Sequence, residues 1–141
     1  MKSISKELIS TVIKKRKSAT HKGNYGRLLL IGGSKKYGGA LIMAAEGALN
    51  SGAGLVTVAT DQVNIAALHT RDPEIMALNW DESIELKNLI KSSDVVVCGM
   101  GLGLDDKAQQ ILRLVRDNIT LKQTLILDAS ALDLIGQQND L

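Results

Sequence analysis

Aliphatic runs punctuated by glycine set the pattern of this 141-residue chain. Arg27-Leu-Leu-Leu-Ile31 is a short, continuous aliphatic stretch, as expected of a strand covered on both faces. Gly32-Gly-Ser-Lys-Lys-Tyr-Gly-Gly39 follows, with glycines at both hinges of a turn. From Ala40 to Ser51 the only polar positions are Glu46, Asn50 and Ser51. That predicts a helix buried on nearly every side, its alanines and Gly47 lying close to a sheet. Gly52-Ala-Gly54 supplies a left-handed helix cap, and Leu55-Val-Thr-Val-Ala59 a second strand. Strand, buried helix and strand in this spacing make a βαβ unit, hence parallel strands and a right-handed crossover.

The alternation continues along the chain. Asp61 suits the N-cap of a helix over Val63–Thr70; a carboxylate just past a strand is also the type that binds a ribose hydroxyl. Pro73 bars that helix from continuing, and Pro73–Met76 opens a short extended piece. Ser83–Lys91 reads as a helix and Asp94–Cys98 as a buried strand, followed by a second glycine loop, Gly99-Met-Gly-Leu-Gly103. Asp105 caps a helix whose Ala108, Ile111, Leu112 and Val115 share one face. Thr124–Leu127 is a further strand ending at Asp128. Ser130 begins a last helix through Ala131, Leu132 and Ile135, cut short by Gln-Gln-Asn-Asp-Leu141. Near the N-terminus, Ile4, Leu8 and Val12 recur every fourth residue as one face of a helix. It runs into Lys14-Lys-Arg-Lys17, read as a solvated charged face. Ser18–Gly26 is a polar connector.

Composition narrows the class. The length suits one α/β domain over 1–141, and 45% hydrophobic residues suffice for a core. With Phe absent, that core is built from Leu, Ile, Val, Ala and Met. A net charge of +2 argues against nucleic acid or an anionic membrane as partner. The one cysteine, Cys98, excludes an internal disulfide and sits in the run Asp94-Val-Val-Val-Cys98, the setting of a buried structural thiol. His21 and His69 show no ligand spacing, so no metal site is expected from histidine. The first residues lack the apolar core of a signal peptide, and no apolar run reaches membrane-spanning length. The expectation is a cytoplasmic, soluble protein.

The candidate chemistry gathers at strand ends. Gly33 to Gly38 matches the first half of a P-loop, but Gly39-Ala40 replaces its Lys-Ser/Thr, and the loop does not fit Gly-x-Gly-x-x-Gly either. Its glycines suit close approach of a ligand to backbone N–H groups, or only tight strand–helix packing. Three strands end in Gly-Gly-Ser, Gly-Met-Gly-Leu-Gly and Asp128-Ala-Ser. In an open parallel sheet, those ends lie on the edge where ligands bind.

His21-Lys-Gly-Asn-Tyr-Gly26, Gly32-Gly-Ser34, Gly39-Ala40, Ser51-Gly-Ala-Gly-Leu55, Pro73-Glu-x-Met76, Gly99-x-Gly-Leu-Gly103 and Asp128-Ala-x-Ala-Leu132 occur in the order seen in ADP/ATP-dependent NAD(P)H-hydrate dehydratases. The chain resembles these repair enzymes of the ribokinase-like superfamily over about residues 21–135. The resemblance implies a three-layer αβα sandwich with a mostly parallel central sheet. It implies dehydration of hydrated NADH or NADPH, coupled to ADP or ATP hydrolysis with Mg²⁺, in a cytoplasmic homo-oligomer, a tetramer in the family. It places Gly39, Ala40, Gly101 and Gly103 at the hydrated-nicotinamide pocket, with Ala40 and Gly103 in contact.

Three positions depart from the family pattern: Asn24 stands for Asp, Met100 for Pro, and Ser130 for the second Asp of Asp-Ala-Asp. Asp128 is left as the one carboxylate at its strand end, a weak catalytic candidate that equally suits a helix cap. Family members are much longer, and their second half carries a Gly-Ser-Gly-Asp anion hole with the general-base Asp, which has no counterpart here. The chain therefore reads as the N-terminal half of a larger, apparently truncated domain, unable to catalyse alone. Two alternatives stand beside it. One is a ribokinase-like small-molecule kinase; the other is a non-catalytic nucleotide-binding half that needs a second chain to complete the sheet.

Overall fold

A computed structural model describes residues 4–13 and 18–137. The basic run Lys14–Lys17 and the last four residues of the terminal segment lie outside the described residues. The described elements are α1 (Lys6–Val12), a 3-10 turn (Lys22–Tyr25), β1 (Arg27–Ile31), α2 (Gly38–Asn50), β2 (Leu55–Thr60) and α3 (Gln62–Arg71). They continue with β3 (Met76–Asn79), α4 (Ser83–Ser92), β4 (Val95–Cys98), α5 (Asp106–Asn118), β5 (Thr124–Leu127) and α6 (Ser130–Gln137). Strand order is β3-β2-β1-β4-β5, and every pairing is parallel.

Register fixes which residues face which layer. Leu30 on β1 aligns with Val58 on β2 and Val97 on β4, so these side chains share one face of the sheet. Leu41 and Ala45 of α2 and Leu68 of α3 cover Leu30, Val56 and Val58 on that face. On the opposite face, Leu29, Ile31, Val96 and Cys98 pack under Leu86 and Ile90 of α4, Ala108, Ile111, Leu112 and Val115 of α5, and Ala131 and Leu134 of α6. The result is the three-layer αβα sandwich, with aliphatic cores on both sides of one sheet.

Asp61 caps α3 by accepting from the Val63 N–H at 3.1 Å, and Asp105 caps α5 by accepting from the Ala108 N–H at 2.9 Å. The connection into β5 is held by Gln123, whose amide donates to the Ser93 carbonyl at 2.7 Å and to the Ile90 carbonyl. These groups close the C-terminal end of α4, where helix carbonyls lack intrahelical partners.

Two expectations are corrected. Helix α2 is not buried all round: Leu41 and Ala45 face the sheet, whereas Met43 is 72% exposed and Gly47 borders open space. Its outer face is apolar because it carries small residues and methionine, not because another layer covers it. Pro73–Ile75 is a turn, and the extended segment starts at Met76 and runs on to Asn79. The expected N-terminal helix α1 forms, capped by Ser5, and none of its residues is buried. Among the described residues no helix is long and apolar enough to cross a membrane.

Candidate functional site

In a doubly wound parallel sheet, the crevice opens where successive strands are laid down in opposite directions from a central one. Here that point lies between β1 and β4. The chain leaves β1 for β2 on one side, and returns from β3 to β4 on the other. The loops leaving β1 and β4 at this point are the two glycine loops.

The loops are bonded to each other. Gly33 donates to the Met100 carbonyl at 2.8 Å, and Ser34 to the Gly101 carbonyl at 2.6 Å. Gly101 has φ +60°, and a Cβ there would run into the carbonyl and Cβ of Tyr37. Glycine is therefore required at 101 by loop-to-loop packing. Gly103, at φ +92°, lies beside Ser34 and donates its N–H to the Ser130 hydroxyl at 3.3 Å. The turn Asp128-Ala129-Ser130 closes the row. The Asp128 N–H donates to the Cys98 carbonyl at 3.1 Å, and Ala129 adopts φ +44°, a left-handed conformation uncommon for a residue with a Cβ. Three strand ends thus share one rim.

The first turn of α2 opens onto the same rim. Its N-cap, Tyr37, makes no side-chain capping bond, so the N–H groups of Gly38, Gly39 and Ala40 have no capping side chain. Gly39 and Ala40 are exposed, and nothing lies within 4 Å of a Cβ built on Gly39. A helix N-terminus of this kind favours an anion through its dipole and its unpaired donors.

Of the sequence-predicted residues, Gly101 and Gly103 therefore sit in the loop after β4, and Gly39 and Ala40 in the first turn of α2. Contact between Tyr37 and Gly101 joins the two groups. Asp128 is exposed at the end of β5, with its backbone carbonyl against Gly99. Among the described residues no group of three or more His, Cys, Asp or Glu converges as a metal site. Cys98 is buried, and burial pushes its thiol up to about 12, which removes it as a nucleophile near neutral pH.

Sequence reasoning missed a buried polar cluster beneath the loop. The Thr60 hydroxyl donates to the Gly33 carbonyl at 2.8 Å, and the Asn64 amide donates to the same carbonyl at 2.6 Å and to the Thr60 hydroxyl at 3.0 Å. Both side chains are buried. Asn64 lies one turn before Leu68 on the inward face of α3. An amide on the apolar face of an amphipathic helix was the available signal.

The family model described as NAD(P)H-hydrate dehydratase matches residues 28–141. An ADP-dependent (S)-NAD(P)H-hydrate dehydratase of Enterococcus faecalis is 47% identical over 139 residues, which are 99% of this chain and 48% of that protein. A crystal structure of a ribokinase-like superfamily protein from the same species superposes with a TM-score of 0.92 at 47% identity, covering 95% of this chain and 47% of the other. An ADP/ATP-dependent NAD(P)H-hydrate dehydratase of Bacillus subtilis, co-crystallised with ATP and Mg²⁺, superposes with a TM-score of 0.74 at 28% identity, covering 91% and 46%. The chain spans about half the length of the curated relatives it matches.

Proposed function

Because this chain belongs to the NAD(P)H-hydrate dehydratase family, we propose that it forms the substrate-side half of such an enzyme and holds hydrated NADH or NADPH at the rim between its two glycine loops. The observation that carries the reading is the convergence of both glycine loops with the uncapped N-terminus of α2 at the switch point between β1 and β4. In this reading Gly39 and Ala40 lie along one side of the hydrated nicotinamide and Gly101 and Gly103 along the other. The uncapped N–H groups of α2 face the anionic part of the bound molecules.

Dehydration requires the hydroxyl of the hydrate to become a good leaving group. Bound ADP or ATP supplies the phosphoryl chemistry for that, and the chain's fixed N–H donors stabilise developing negative charge without reorganising. The described residues offer no cage for Mg²⁺. The proposal assigns the ion to the phosphates of the nucleotide, the usual mode for a small hard cation. Asp128 follows β5 at the same edge of the sheet, and the reading gives it no proton-transfer role. Cytoplasmic location and homo-oligomeric assembly, up to a tetramer, belong to the same proposal.

The test mixes the purified chain with hydrated NADPH, ADP or ATP, and Mg²⁺, and follows reduced-nicotinamide absorbance. The expected result is no recovery of absorbance, with saturable binding of the hydrate in the same mixture. Recovery would show that these residues already contain the base and would move Asp128 to first place. Absence of both would overturn the reading.

A further inference from the structure

The buried Asn64 side chain reaches two separate parts of the rim from behind. Its residue is 9% exposed and projects from the start of α3, which packs on the same face of the sheet as α2. On one side its amide nitrogen donates to the Gly33 carbonyl at 2.6 Å. That carbonyl also accepts from the Thr60 hydroxyl at 2.8 Å and from the Asp61 N–H at 3.3 Å. The N–H of Gly33 donates to the Met100 carbonyl of the second glycine loop at 2.8 Å. Gly33 is therefore gripped twice, by the other loop through its N–H and by the cluster behind it through its carbonyl. It has φ +68°, and a Cβ there would stand 2.7 Å from the Thr60 hydroxyl oxygen.

The other side of the amide lies against the start of α2. A Cβ built on Gly38, the first residue of that helix, would stand 2.0 Å from Asn64 Oδ1 and 2.5 Å from its Cγ. Glycine at 38 is what lets α2 rest on the amide. At Gly39 a Cβ would meet nothing within 4 Å, so the two adjacent glycines have different reasons to be there. No side chain caps α2, and Asn64 packs directly against its first residue. In such buried surroundings a hydrogen-bonded amide is held more firmly than in water.

We propose that Asn64 is a positioning residue for the hydrate: wedged between the Gly33 carbonyl and Gly38, it sets the spacing of the first glycine loop and the first turn of α2. This rests on the reading that the rim holds hydrated NADH or NADPH. Asn64 touches no ligand in it. It acts through Gly33, whose N–H is tied to the loop carrying Gly101 and Gly103, and through Gly38, which precedes Gly39 and Ala40. A binding rim keeps its geometry only where the groups behind it are themselves fixed by packing and hydrogen bonds.

A double-mutant cycle separates positioning from simple space-filling. Denaturant stability and the affinity for hydrated NADPH are measured on the full chain, on Asn64→Ala, on Gly38→Ala and on the pair combined. Asn64→Ala opens the space that the methyl group of Gly38→Ala requires. Each single variant is therefore expected to lose stability, and the combined variant to be more stable than the two losses predict. Its affinity is nevertheless expected to stay about tenfold or more below that of the unaltered chain, because the amide donor to Gly33 is still missing. Affinity that returns with stability would make Asn64 a filler and overturn the proposal. Unchanged affinity in Asn64→Ala, or strictly additive stability losses, would overturn it too. Asn64→Leu keeps the bulk and removes the donor; it replaces Asn64→Ala as the affinity test if that variant does not fold, with the same expected loss. The unaltered chain separates the two readings. If it fails to bind the hydrate, the reading of the rim falls and this inference with it; if it binds and the variants bind equally well, only the role of Asn64 falls.

Discussion

A side chain added at Gly39 would project into open space, whereas one added at Gly101 would strike the Tyr37 carbonyl. The two glycines therefore make opposite predictions. Gly39→Leu puts a good helix former in the first turn of α2, so stability should be unchanged or rise by up to about 1 kcal/mol. Hydrate affinity should fall by about tenfold or more, because the new side chain occupies the rim. Thermal melting and an equilibrium titration check the pair; a stable variant with full affinity would remove Gly39 from the site. Cys98 gives a pH prediction. Its thiol is raised from 9.0 to about 12 by burial, so the unfolded chain loses this proton first as pH rises. The contribution to stability is complete below pH 9 and is lost as pH climbs towards 12, by up to about 1.4 kcal/mol per unit. Denaturant melts across that range should show this component in the native chain and not in Cys98→Ala.

At the scale of elements, the buried cluster of Thr60, Asn64 and Gly33 ties β2 and α3 to the loop after β1. Asn64→Ala should cost about 1–3 kcal/mol, since buried donors and acceptors lose partners and a small void opens. It should also weaken hydrate binding, because the Gly33 carbonyl loses one of the donors that fix the loop. A denaturant titration and a binding isotherm measure the two effects; a stability loss with unchanged affinity would make the cluster purely structural. Most elements were legible because their signals are local. Aliphatic runs gave β1, β2, β4 and β5, and Asp61 and Asp105 marked helix starts as side-chain caps. Strand β3 was seen only in part, since Ala77-Leu-Asn-Trp80 neither alternates nor runs aliphatic and its pairing with β2 is a tertiary fact. The exposed face of α2 was misjudged because apolar composition does not say how many neighbours a helix has. The Thr60–Asn64 cluster was invisible as a cluster because its members meet only when α3 folds back on the sheet.

For the whole molecule, strand order decides where chemistry can occur. The order β3-β2-β1-β4-β5 brings two glycine loops, far apart in sequence, to adjacent strand ends at the middle of the sheet. Among the described residues it also leaves β5 at the edge of the sheet, with Ile126 exposed. The rim and its glycines were legible from sequence as strand-end loops; their bonding to each other through Gly33–Met100 and Ser34–Gly101 was not. The most direct measurement is a titration of hydrated NADPH into the isotopically labelled chain, read by amide chemical shifts. The account predicts saturable shifts confined to the rim, with Gly39, Ala40, Gly101 and Gly103 among the largest and β3 and α4 unmoved. Shifts centred elsewhere, or no saturable change, would contradict it.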